Sequence, residues 1–155
     1  LRSLVPHHII GGAVRGILNG ILVLLLAYLI TGLHIENWFL TLVYLSVVAW
    51  GFAGAGVIVG IYAKSWDSIM VLTNFFLMPL TFLGGVFYSI EMLPDFWRNI
   101  SMVNPLYWMI NGLRYATLGI AETSHELSLG ISILFAIFFS TLASFMFSKG
   151  YRIKT

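Results

Sequence analysis

Four uninterrupted apolar runs, at about residues 9–33, 38–63, 69–88 and 127–148, constrain this chain more than any other feature in it. A helix rises about 1.5 Å per residue and a bilayer's hydrocarbon core is about 30 Å thick, so a spanning helix needs roughly 20 mostly apolar residues. Each run meets that length. The runs are continuously apolar and lack the alternation of a membrane barrel, which excludes spanning strands. The expectation is an all-α integral membrane protein: a polytopic bundle of four transmembrane helices, with short re-entrant or interfacial helices before the last span.

Composition agrees, since 59% of residues are apolar and only 9% charged, against roughly a quarter charged in a soluble domain. A net charge of +2 is too small to suggest nucleic acid as a partner. The absence of cysteine removes disulfides and thiolate metal sites together. Four spans put both ends of the chain on one side, and the positive-inside rule then asks for the Lys and Arg excess there. Arg2, Arg15, Lys64, Lys149, Arg152 and Lys154 fall on that side, and only Arg98 and Arg114 on the other. Both termini are accordingly expected in the cytoplasm. The chain starts at Leu1 with neither an initiator Met nor a cleavable leader, so residues 1–155 read as one membrane domain, the back part of a longer one.

Small residues at four-residue spacing let helices approach closely in lipid, where association depends on packing. Gly12, Gly16 and Gly20 repeat on the first span and Gly56 and Gly60 on the second, with Ala49, Ala53 and Gly54 adding small surfaces. Packing within the subunit is the expected use, ahead of a dimer seam. Pro79 sits inside the third run, cannot donate to the Phe75 carbonyl and so predicts a kink or break. Thr73, Asn74 and Thr81 are the side chains best placed to satisfy the freed backbone. Such a bent helix either lines a translocation path or is a tolerated kink.

Beyond Tyr88 the chain is amphipathic but too short to cross again. Pro94 suits the first turn of a helix ending near Val103, and Asn104 with Pro105 supplies an N-cap and first residue for a second one. That second helix keeps Leu106, Met109, Ile110, Leu113 and Thr117 on one face, with Gly112 and Arg114 toward another. Phe96, Trp97, Tyr107, Trp108 and Tyr115 have rings suited to the headgroup level.

The run NFFLMPLTFLGGVFYSIEMLP, from Asn74 to Pro94, followed by NPLYWMINGLRYA from Asn104 to Ala116, resembles the permease subunit of ABC-2 type transporters, a family of drug, polysaccharide and lipid-linked saccharide exporters. The resemblance implies spans three to six of a six-span permease, with re-entrant helices before the last. It places Ser3, Leu4, Val5, Pro6 and His7 in the tail of a coupling segment beside a cytoplasmic ATPase. It makes Thr73, Asn74, Pro79 and Thr81 part of a translocation path, and Gly84, Gly85, Tyr88, Pro94, Asn104, Pro105 and Arg114 an outer re-entrant gate. It also implies a second permease copy and surrounding membrane lipids as partners, in a bacterial inner membrane. Lys64 and Ser65 follow Ala63 where a phosphate-binding loop requires glycine, so this chain cannot cradle ATP phosphates. ATP and Mg would be bound by the partner ATPase, and this chain would be a transport subunit and not an enzyme.

Other chemistry is weaker. His7 and His8 are adjacent and point to different sides of a helix, which is poor for a shared metal. Arg15 is the charge well inside a span, where it can snorkel to the inner headgroups or form a buried pair. Asn99-Ile100-Ser101 is an acceptor sequon, read as chance. An ion-coupled secondary transporter would show acids inside its spans, and none of the six acids lies there. A membrane-embedded enzyme would need a polar cluster at one depth, which Asn19, Thr73, Asn74 and Thr81 do not assemble. The aromatic content of 15% suits amphipathic cargo.

Overall fold

The structure is a computed structural model that describes residues 4–63 and 65–148. Seven α-helices and no strand occur among these residues: α1 (Leu4–Thr31), α2 (Trp38–Tyr62), α3 (Trp66–Leu72), α4 (Met78–Leu83), α5 (Asp95–Val103), α6 (Pro105–Leu118) and α7 (His125–Ser148). Four helical stretches are long and apolar enough to cross a membrane: His7–Thr31, Trp38–Tyr62, Trp66–Leu83 and His125–Ser148. The third is composite, built of α3, a π-helical turn at Thr73–Leu77 and α4. It ends at Leu83, short of the expected Tyr88, because Gly84 closes the helix with bonds to Thr81 and Phe82 and the chain turns at Gly85.

Pro79 does not break this span. Its missing donor is absorbed upstream, where Met78 N–H reaches back to the Thr73 carbonyl, and Leu77 and Met78 keep right-handed helical dihedrals. A π-turn inserts one residue into the helix and is one of the recognised ways of carrying a bend. Thr73 and Thr81 donate to the carbonyls of Ile69 at 2.9 Å and Leu77 at 2.7 Å. Asn74 is exposed and takes no part.

The core is a three-helix sheaf. α2 packs against α1 on one side and α7 on the other, and α6 lies in the angle between α2 and α7. Gly12 and Gly16 pass so close to α2 that an added Cβ would sit 3.0 Å from the Cβ atoms of Ala53 and Ala49. Gly20 meets Leu45 in the same way. The α2–α7 seam uses different glycines: a Cβ at Gly54 would stand 3.1 Å from the Phe139 and Ser140 backbone, and one at Gly51 would strike the Phe135 ring. Trp50 closes this seam by donating its indole N–H to Ser140 Oγ at 2.9 Å.

Gly56 and Gly60, expected to pack, face nothing within 4 Å. They border an open groove with His8, Gly12 and Phe147. The spacing repeats along one stripe of α2, but α7 crosses the helix on the stripe that carries Gly51 and Gly54. Gly54→Ala is therefore expected to cost about 1–3 kcal/mol by forcing two backbones apart, while Gly56→Ala leaves stability unchanged or slightly raised. Thermal unfolding of the detergent-solubilised protein checks the contrast.

α1 and the third span are almost wholly unburied, with 6% and 0% of their most apolar windows buried. Exposed Leu29, Ile30, Phe75 and Phe76 are the surface expected of helices solvated by lipid.

Candidate functional site

The end of the bundle away from the chain termini is where the polar residues converge. α5 and α6 form a helical hairpin there. Asn104 starts α6 by accepting from the Leu106 N–H at 3.0 Å, with Pro105 in the first turn. Its amide also donates to the Leu80 carbonyl at 2.6 Å, a group that α4 leaves free because Gly84 bonds to Thr81 instead. One buried asparagine thus starts α6 and caps the end of the third span. Gly119, with φ of +71°, ends α6 in the left-handed conformation. The α1–α2 loop is stitched to that end by Glu36 N–H to Thr117 O and Asn37 N–H to Ala116 O, both 3.0 Å.

The face of α6 that turns inward only partly matches the one expected from spacing, sharing Met109 and Thr117 with it. Tyr107, Met109, Asn111, Gly112, Ala116 and Thr117 are buried, whereas Leu106, Ile110 and Leu113 are only partly covered. Gly112 lies against the ring of Tyr44, nearest would-be Cβ contact 2.2 Å, roughly two turns into α2. Tyr44 is fully buried and donates to the His125 carbonyl at 2.6 Å, joining α2, α6 and the start of α7 in one contact. At this depth α6 enters the bundle instead of lying on its surface.

Asn111 organises the polar side of the same helix. Its amide faces Thr123 O at 3.1 Å, Thr123 Oγ1 at 3.0 Å and Ser128 Oγ at 2.9 Å, and its oxygen accepts from Glu122 N–H at 2.9 Å. The Tyr107 hydroxyl lies 3.3 Å from Thr123 Oγ1. Burial pushes that hydroxyl above the ordinary phenol range, against the opposing pull of the Thr123 bond, so it stays neutral. With its backbone fixed in this way, Glu122 directs one carboxylate oxygen to Arg114 Nη1 at 2.9 Å and the other toward Ile90 N–H at 3.3 Å. The other arm of the Arg114 guanidinium donates to the Gly85 carbonyl.

The sequence-derived candidates separate into groups. Gly84, Gly85, Asn104, Pro105 and Arg114 come together at this end, with Tyr88 on the adjoining turn and Pro94 at the start of α5. Thr73, Asn74 and Pro79 are exposed on the third span, and half-buried Thr81 adjoins the cluster, its carbonyl accepting from the Gly84 N–H at 3.1 Å. Leu4, Val5, Pro6 and His7 form the first turns of α1 and no separate segment, since proline is tolerated in a first turn. Ser3 lies outside the described residues, as do Arg2, Lys64, Lys149, Arg152 and Lys154 of the charge count. Arg15 is exposed on α1.

Sequence reasoning missed Tyr44, Asn111, Glu122, Thr123 and Ser128. Glu122 falls in the segment between α6 and α7, where no motif marks it, yet its side chain is only 12% exposed. Tyr107 reads as a headgroup anchor and is buried, and the Trp108 indole is bonded to the Met102 carbonyl. The visible signal was Asn111 on the same face as Tyr107, one helical turn apart. A polar cluster at one depth does exist, but its hydrogen-bonding groups are spent on one another, and no metal-holding group of acids or histidines occurs among the described residues.

Residues 3–118, which include both runs that carry the resemblance, match the profile of the ABC-2 type transporter family. The chain belongs to that family. Among its relatives, the inner membrane transport permease YadH of Escherichia coli K12 is 34% identical, covering 97% of this chain and 61% of the relative. Nodulation protein J of Sinorhizobium fredii is 26% identical over 88% of this chain and 52% of the relative. The chain thus spans about three fifths of the length of the first of these relatives and about half of the second. No solved structure matches this ABC-2 chain significantly.

Proposed function

We propose that the chain is the permease part of an ATP-binding cassette exporter in a bacterial inner membrane, moving an amphipathic, drug-like or lipid- or glycan-linked substrate outward. The observation that carries the reading is ABC-2 membership across residues 3–118. It is supported by a lipid-solvated third span that carries a π-turn and docks on the α5–α6 hairpin. With Ala63 where a phosphate loop needs glycine, the energy comes from a separate ATPase subunit that binds ATP and Mg. Two permease copies and two ATPases make the working unit, with both ends of this chain cytoplasmic.

In this scheme closure of the ATPases pushes on the segment around Ser3 to His7, and the third span yields at Thr73–Leu77. Thr73, Asn74, Pro79 and Thr81 then border the route, and the hairpin bounded by Pro94 and Pro105 closes its outer end. The driving ligand must bind the inward and outward states unequally, or no switch results.

Pro79→Ala tests the mechanical part. Alanine restores a donor for the Phe75 carbonyl, removes the reason for the π-turn and rotates everything upstream by one residue, about 100°. Export from proteoliposomes containing the full-length permease and its ATPase is expected to fall at least tenfold, with assembly and basal ATP hydrolysis kept. Equal loss of assembly and export would reduce the proline to a structural role. Absence of any nucleotide-dependent export with the ATPase encoded beside it would overturn the exporter reading itself.

A further inference from the structure

We propose that Arg114 is a positioning residue that latches the distal end of the bundle shut, holding the turn after the third span to the loop before the last one. Arg114 sits on α6, between the two. One arm of its guanidinium grips the Gly85 carbonyl and the other grips Glu122. Glu122 in turn accepts from Ile90 N–H at 3.3 Å. Two contacts therefore tie the 85–90 turn to residue 122, one through Arg114 and one direct.

Three features suit this arrangement to a latch better than to a passive brace. First, it is the one ion pair among the described residues, and its side chains are 23% and 12% exposed, so water and salt screen it less than a surface pair. Secondly, the third span has few other holds. Its docking on the rest of the described chain runs through α4 onto α5 and α6, with the Asn104–Leu80 bond beneath. Parting Gly85 from Glu122 frees the upper end of the one span that carries a built-in bend. Thirdly, the gripped carbonyl belongs to Gly85, whose φ is +76° and whose would-be Cβ faces Tyr88 O at 3.3 Å, so the turn presents this backbone oxygen in one orientation. Arginine is required because a planar fork reaches two acceptors at once, whereas lysine offers a point charge. Exchanging the two charges would not restore the latch, since a carboxylate at 114 would face the Gly85 carbonyl.

The latch rests on the transport reading for its purpose, but its closure is measurable without transport. Ser101, on the α5 arm of the hairpin, is fully buried and its hydroxyl has no partner. The chain has no cysteine, so Ser101→Cys introduces a near-isosteric thiol at no hydrogen-bonding cost. In the full-length protein in membranes without nucleotide, a membrane-impermeant maleimide is expected to label this thiol slowly. In the same background Glu122→Gln and Arg114→Lys are each expected to raise the labelling rate at least tenfold, with size-exclusion profiles unchanged. Parental labelling rates in either folded variant overturn the latch. If one variant fails to fold the other decides, and loss of folded protein in both would make the pair a structural brace and overturn it as well. A faster rate with no export under any condition would leave the latch standing and remove the exporter reading.

Discussion

Gly112→Ala is expected to remove most of the folded protein, because the added methyl would overlap the Tyr44 ring at 2.2 to 2.7 Å. Overpacking in a core costs about 1–3 kcal/mol when neighbours can shift. Here the neighbour is fully buried and pinned by its hydroxyl to the His125 carbonyl at 2.6 Å, so the cost lies at or above about 3 kcal/mol, the top of that range. Tyr44→Phe loses only the hydrogen bond and should cost about 1 kcal/mol. The double change Gly112→Ala with Tyr44→Leu should recover much of the loss, a non-additivity expected of residues in contact. Monodispersity and thermal unfolding in detergent of the parent, Gly112→Ala, Tyr44→Leu and the double variant check this. Independent, additive effects would mean that α6 does not enter the bundle at Tyr44.

Asn111→Leu carries the second large effect. It removes the partner of the Glu122 N–H and of the Thr123 carbonyl in a part-buried site, while the Ser128 hydroxyl keeps its bond to the Ser124 carbonyl at 3.2 Å. An orphaned buried group costs about 1–3 kcal/mol, and a summed loss on the order of 2–4 kcal/mol follows when some relax. The loop that carries Glu122 loses its anchor, so amide hydrogen exchange across residues 119–124 should accelerate before the bundle unfolds. Asn111→Asp keeps an acceptor for Glu122 but sets an oxygen against the Thr123 carbonyl, and should be intermediate. Unchanged exchange in Asn111→Leu would show that the loop is held by its other contacts, Arg114 and Ile90 on Glu122 and Tyr107 on Thr123.

These effects fall on residues that periodicity ranked low. Spacing groups Leu106, Met109, Ile110, Leu113 and Thr117 on one face of α6, and the structure buries only Met109 and Thr117 of that set, together with Tyr107, Asn111 and Gly112. In lipid the usual inference from apolar stripe to core reverses, because a leucine is as well solvated by acyl chains as by protein, while an amide is satisfied only inside. Leu106, Ile110 and Leu113 could therefore stay partly covered while Asn111 was buried. The same reversal explains Glu122, an acid in the segment between α6 and α7.

Caps and breaks were legible. Asn104 and Pro105 begin α6 as their chemistry requires, and Pro94 stands immediately before α5. Pro79 was legible as a disturbance but not as its kind, since a missing donor can be met by a break, a kink or a π-turn, and neighbouring residues decide which. Glycine spacing located small surfaces without saying which would be used. Gly12 and Gly16 meet α2, Gly51 and Gly54 meet α7, and Gly56 and Gly60 meet neither.

The amino-acid sequence by itself determined the class of this protein: four lipid-length helices, the absence of a phosphate-binding loop, a short capped helix pair before the last span, and the ABC-2 family. Those properties are written in hydropathy, length and local backbone chemistry, which act within a few residues. The tertiary structure alone decided that α6 enters the bundle between α2 and α7, and that Asn111, Glu122 and Arg114 form one network fastened to Gly85. A hydrogen bond needs its partner within about 3 Å, and residues 85, 114 and 122 are brought that close only after three turns of chain have been folded over one another.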